Sequence, residues 1–134
     1  MEHLETTCNL CKKYGLEPMI WDDMLFRDKT PLMNYYCDSD PITPEQKGQF
    51  PDNLSFVYWD YYDDTREEYE RQLKRRGCVQ TLFAGGVWKW SGWVPNLTKS
   101  FHDCMVAVDA CCAYNVQEIM VTLWGDDGDE TPLA

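Results

Sequence analysis

The sequence predicts an α/β fold on a parallel sheet, and three observations carry that reading. Four apolar runs each end in aromatic or acidic residues: Met19-Ile20-Trp21-Asp22-Asp23, Phe56-Val57-Tyr58-Trp59-Asp60, Leu82-Phe83-Ala84-Gly85-Gly86-Val87-Trp88 and Met120-Val121-Thr122-Leu123-Trp124-Gly125-Asp126-Asp127. Helical patterns alternate with these runs, which implies right-handed crossovers and parallel strands. Ligands of such folds bind at the C-terminal ends of the strands, where the Trp and Asp residues cluster.

The elements follow in order. Residues 2–14 carry Leu4, Cys8 and Cys11, with Leu10 and Tyr14, at helical spacing. Lys12 and Lys13 suit the C-terminal dipole, and Gly15 is a natural stop. A strand is expected from Glu17 to Trp21. The connection over 22–53 contains Pro31, Pro41, Pro44 and Pro51 and is long enough to suggest a functional or mobile segment. Within it, Thr43-Pro44-Glu45-Gln46 reads as a cap followed by a short helix. A strand over Leu54–Trp59 precedes a helix that opens at Asp64-Thr65, runs to Arg76 and ends at Gly77. A strand over Val79–Phe83 precedes a helix from about Thr98 to Tyr114, with Phe101, Met105, Val108 and Cys112 on one stripe and Asn115 as its stop. The last strand is expected over Glu118–Leu123. No helix is visible to cover it, so the chain reads as a piece of something larger.

Composition narrows the function. The 134 residues fit one domain spanning 1–134, and 44% hydrophobic content is ample for a core. A net charge of −11 argues against nucleic acid and against anionic membrane surfaces as partners. No run approaches membrane-spanning length. The N-terminus lacks an apolar leader, and the 7 cysteines are odd in number, so a cytoplasmic, reduced protein is expected.

The candidate site residues come from the strand ends. An indole can cover the apolar face of a sugar ring while a carboxylate accepts hydrogen bonds from its hydroxyls. Trp21 and Asp22 read either as a pocket wall and its hydrogen-bonding group or as a packed Trp and a cap. Tyr58 and Asp60 share one face of their strand and Trp59 takes the other; if the shared face is the lumen of a barrel, phenol and carboxylate meet one ligand, and otherwise Tyr58 belongs to the core and Asp60 to a backbone cap. Trp88, Trp90 and Trp93 lie within six residues among glycines, and at least one is expected to meet a ligand. Trp124 and Asp126 repeat the two-residue spacing.

Other chemistries fit less well. The acidic run over 126–130 lacks the spacing of a calcium loop. Cys8-Asn9-Leu10-Cys11 has no second pair at finger spacing, Cys104, Cys111 and Cys112 read as core packing, and His3 and His102 sit on helices away from the strand ends. No metal and no cofactor is expected.

Together, Gly15-Leu16-Glu17-Pro18-Met19-Ile20-Trp21-Asp22-Asp23-Met24, Tyr58-Trp59-Asp60 and Trp124-Gly125-Asp126-Asp127-Gly128 resemble the C-terminal half of the catalytic (β/α)8 barrel of family 20 glycoside hydrolases, the β-N-acetylhexosaminidases. The resemblance covers nearly all of the chain and implies a partial TIM barrel, parallel strands five to eight with intervening helices. It implies that Trp21 walls the acetamido pocket, that Tyr58 hydrogen-bonds the acetamide carbonyl, and that Asp60, Trp124 and Asp126 contact sugar, Asp126 standing where many members have Glu; a further pocket Trp comes from Trp88, Trp90 or Trp93, with Trp88 the first candidate. The implied reaction is substrate-assisted retention on a terminal β-linked N-acetylhexosaminide, an exception to the two-carboxylate scheme. The family's adjacent Asp-Glu pair ends strand four, upstream of the helix with which this sequence opens. The implied partners are therefore the sugar and an N-terminal half-barrel of the same enzyme, or a second copy. Without the acid the chain is expected to be inactive alone. The alternative is a non-catalytic carbohydrate-binding or structural module.

Overall fold

The computed structural model describes residues 2–23, 41–77 and 79–126. Its elements are α1 (Glu2–Lys13), β1 (Met19–Trp21), α2 (Pro44–Lys47), β2 (Ser55–Trp59), α3 (Arg66–Arg75), β3 (Thr81–Gly86), α4 (Leu97–Ala113) and β4 (Ile119–Thr122). The strands form one sheet in the order β1-β2-β3-β4, and every pairing is parallel. This order is compatible with part of an α/β barrel. Most of the 22–53 connection and the acidic run after Asp126 lie outside the described residues.

Local chemistry sets the helix ends. Thr43 and Gln46 form a reciprocal capping box on α2, with Gln46 N–H donating to Thr43 Oγ1 at 3.2 Å and Thr43 N–H to Gln46 Oε1 at 2.9 Å. At α3, the Thr65 hydroxyl donates to Glu68 Oε2 at 2.6 Å. Helices α1 and α4 stop in the same way. Gly15 (φ +69°) and Asn115 (φ +57°) turn left-handed, and the next amides, of Leu16 and Val116, return to the carbonyls of Cys11 and Cys111, each at 2.9 Å. Both stops agree with the sequence reading.

The register assigns the two faces of the sheet. Tyr58 pairs with Phe83, Trp59 with Ala84, and Phe83 with Ile119. Phe56, Tyr58, Phe83, Ile119 and Val121 therefore share one face, while Trp21, Val57, Trp59, Leu82, Ala84, Gly86, Met120 and Thr122 share the other. Helices α1, α3 and α4 all pack on the first face. Cys8 of α1 meets Leu54 and Phe56, and Tyr69, Leu73, Ala107, Ala110 and Cys111 enclose Tyr58 and Phe83.

Two expectations need correction. β3 runs from Thr81 through Gly86 rather than from Val79 to Phe83, so both glycines belong to the strand. The Phe101–Met105–Val108–Cys112 stripe does not pack on the sheet. The buried side of α4 presents Ser100, Asp103, Ala107, Ala110 and Cys111, and of these Ala107, Ala110 and Cys111 pack with Tyr58 and Phe83 of the sheet and Tyr69 and Leu73 of α3. Phe101 and Met105 stay 70% and 65% exposed. Of the three helical cysteines read as core, Cys111 is buried, Cys104 is half-buried and Cys112 is exposed. Burial pushes the Cys111 thiol up to about 12, so it is a packing group rather than a nucleophile.

Candidate functional site

Tyr58 lies on the helix-covered face. Its ring is completely buried, its hydroxyl donates to Asp60 Oδ2 at 2.8 Å, and the Arg76 guanidinium stands 4.1 Å from its centroid. Burial, reinforced by the Asp60 charge, pushes the phenol well above its ordinary range. Asp60 is also buried, and its Oδ1 accepts from the amides of Tyr62 (2.9 Å) and Asp63 (3.0 Å). The conditional reading of this pair is thereby decided geometrically. The two side chains do share a face, but that face holds the helices, which leaves Tyr58 to the core and Asp60 to a turn.

Asp22 has a third role that neither sequence reading proposed. It is fully buried and takes a two-pronged contact from Arg76, with Nε donating to Oδ2 at 2.5 Å and Nη2 to Oδ1 at 2.9 Å. Arg76 Nη1 donates to Gln72 O and Gln72 Oε1, each at 3.0 Å. Asp22, Arg76, Tyr58 and Asp60 thus form one continuous buried network linking β1, α3 and the end of β2.

The opposite face gathers aromatic rings at the C-terminal strand ends. Tyr61, just past β2, packs against Trp59 and Trp90, each at 5.2 Å between centroids. Trp90 lies against Trp88 at 4.9 Å, and Trp88 meets Tyr62 at 5.6 Å. The Tyr61 hydroxyl accepts from Trp124 Nε1 at 3.0 Å and from Thr122 Oγ1 at 3.1 Å. Gly86 makes this possible. A Cβ there would stand 2.8 Å from Tyr61 Cδ1 and 3.0 Å from Trp90 Cη2, so only glycine lets both rings lie on β3. The loop bearing Trp88 and Trp90 is tied to α4 by Trp88 N–H donating to Ser100 Oγ at 2.9 Å and Asn96 N–H to Trp88 O at 2.6 Å.

Of the sequence-predicted residues, the structure therefore brings Trp88 and Trp124 into the Tyr61 cluster and sets Trp21 on the same face at the end of β1, partly exposed. It places Tyr58 and Asp60 on the other face. Asp126 is exposed at the end of the described chain. Trp93 is 96% exposed, outside the Trp88–Trp90 stack. The sequence reading missed Trp59 and Tyr61 as members of the site and left Trp90 undecided.

Asp63 has a displaced titration. Burial, then the neighbouring Asp60 charge, raise it to about 7, and its Oδ2 is enclosed without a hydrogen-bond partner. It closes the turn that carries Tyr61 and Tyr62.

Comparison with known proteins finds no family model and no curated protein that matches the sequence. Among the described residues no helix is long and apolar enough to cross a membrane.

Proposed function

We propose that this chain supplies the sugar-holding wall of a β-N-acetylhexosaminidase-type site, with Tyr61 as its central polar contact. The observation that carries the reading is the Tyr61 hydroxyl, held by Trp124 and Thr122 and surrounded by Trp59, Trp90 and the neighbouring Trp88. Indole and phenol faces stack on the apolar face of a pyranose and enclose an acetamido methyl, and a phenol fixed among them directs one hydrogen bond at the acetamide carbonyl. Tyr61 takes over the contact that the sequence resemblance assigned to Tyr58, because Tyr61 lies on the face turned away from α1, α3 and α4. Trp124 donates to it from just past β4, and Trp21 stands on the same face of the sheet at the end of β1.

In substrate-assisted retention the acetamide oxygen attacks the anomeric carbon, so a group that orients the acetamide positions the nucleophile. Hydrolysis also requires a general acid on the leaving oxygen. In this proposal that acid comes from a complementary half-barrel, and the chain alone binds without turning over.

The test is quenching of indole fluorescence by N-acetylglucosamine, with glucose as the control. Saturable quenching by the acetamido sugar alone supports the proposal. Equal responses to both sugars, or none from a folded chain, would overturn it.

A further inference from the structure

Two exposed apolar flanks remain, one at each end of the sheet. Helix α4 has Phe101, Met105, Val108 and Cys112 along one side, and beside it Ile119 and Val121 on the helix side of β4 are also exposed. Helix α1 has Leu10 and Tyr14 exposed on a side that continues through Thr7 and His3. The two rows have identical spacing, at positions i, i+4, i+7 and i+11. Among the described residues no strand pairs with the outer edge of β1 or of β4.

The directions of these flanks follow from the helical repeat of about 3.6 residues per turn. On α1, Leu4, Cys8 and Cys11 face the sheet side, while Glu5, Asn9 and Lys12 line a cavity with residues 48–53, which lead into β2. That side of α1 looks toward β2. Leu10 and Tyr14 lie on the other side of the Leu4–Cys8–Cys11 row, so they look outward past β1. On α4, Ser100, Asp103, Ala107 and Ala110 are buried. Met105 and Val108 are displaced from that row in the same rotational sense as Glu5 and Asn9 are on α1, so they look forward past β4. The α4 flank and the α1 flank therefore point in opposite directions around the sheet, as two surfaces must if one copy is to follow another.

We propose that these flanks meet each other in a two-fold dimer of this chain, in which β4 of each copy pairs with β1 of the other. A two-fold axis parallel to the strands keeps every pairing parallel. Four strands from each copy close into eight, the number at which side chains just fill a barrel interior. Both exposed edges disappear at once, which removes the driving force for open-ended association. In the dimer α1 of the partner covers Ile119 and Val121, and the aromatic walls of the two copies face each other across one mouth. The inference rests on the sheet order and the flanks and is independent of any sugar; the dimer uses the same two edges as the complementary half-barrel of the proposed function, so the two assemblies are alternatives. A charge of −11 on each copy opposes association, so added salt strengthens it.

Sedimentation equilibrium tests this. The expected mass is twice the 15.7 kDa of one chain, at micromolar protein and moderate salt. Phe101→Glu with Met105→Glu on the α4 flank, and separately Leu10→Lys with Tyr14→Lys on the α1 flank, should each give a folded monomer by circular dichroism, since all four side chains are exposed. Mixing the two variants should restore the dimer mass, because one interface then pairs Glu with Lys and the other is unaltered. A wild-type monomer, a wild-type polymer beyond two chains, or a mixture that stays monomeric would each overturn the proposal.

Discussion

Replacing Asp22 by Ala tests the buried network most severely. The Asp22 and Arg76 side chains are 0% and 1% exposed. Four guanidinium N–H groups donate to Asp22 or Gln72, and two of the four lose their acceptor in the variant. The cation then remains beneath the sheet, over the Tyr58 ring, with the two-pronged Asp22 carboxylate removed. Removing one partner of a buried pair costs about 3–5 kcal/mol, because the desolvated charge is left behind. A domain of ordinary stability has about 5–15 kcal/mol in total, so Asp22→Ala should lose a large part of it. Urea unfolding followed by tryptophan fluorescence reads the loss as a fall in midpoint at constant slope. The double variant Asp22→Ala/Arg76→Met removes both charges and should recover most of the stability. An Asp22→Ala midpoint within about 1 kcal/mol of wild type would refute the argument, as would a double variant no better than the single one.

Further outcomes concern the site. Gly86→Ala places a methyl group against Tyr61 and Trp90; overpacking of this kind costs about 1–3 kcal/mol, and it should also weaken sugar-dependent quenching, which titration of the folded variant reads. Asp63 titrates near 7 in the fold, above its ordinary value of 3.8, so its contribution to stability is full at acid pH and is lost as pH rises from about 4 through 7. The full shift would be worth several kcal/mol, but the group is only half-buried, so about 1–2 kcal/mol is expected. Asp63→Asn should remove that slope, and urea midpoints measured from pH 4 to pH 8 decide it. Cys111 should resist alkylation in the folded chain while exposed Cys112 reacts, as mass spectrometry of labelled peptides would show.

Much of the fold was legible in the sequence because it depends on local signals. The helix stops at Gly15 and Asn115, the cap at Thr43 and the alternation of helix with strand each follow from residues within a few positions of one another. The parallel order followed from that alternation. Which face of β2 carries the site was not legible. A strand buried on both faces reads as a continuous apolar run, and Phe56-Val57-Tyr58-Trp59 offers no polar row to mark an outside. The shared face of Tyr58 and Asp60 was correct, but only the helices packed on Phe56 and Phe83 show that it points away from the aromatic cluster. The stripe on α4 misled for a related reason. Large apolar residues ordinarily mark the buried face, whereas here Ala107, Ala110 and Cys111 pack inward and the large ones face outward. The Asp22–Arg76 pair spans 54 positions, and nothing in the local sequence of either residue announces it.

The measurement closest to the central claim is a calorimetric titration with an N-acetylglucosamine-derived thiazoline, run in parallel on the wild-type chain, Tyr61→Phe and Tyr58→Phe. Saturable binding is expected for the wild type. Tyr61→Phe should lose roughly tenfold or more in affinity, about 1.4 kcal/mol, while leaving the fold intact. Tyr58→Phe should lower stability, by leaving Asp60 short of a donor, and keep the affinity of whatever fraction is folded. The opposite pattern, with affinity lost in Tyr58→Phe and unchanged in Tyr61→Phe, would place the working face beneath the helices and contradict the account.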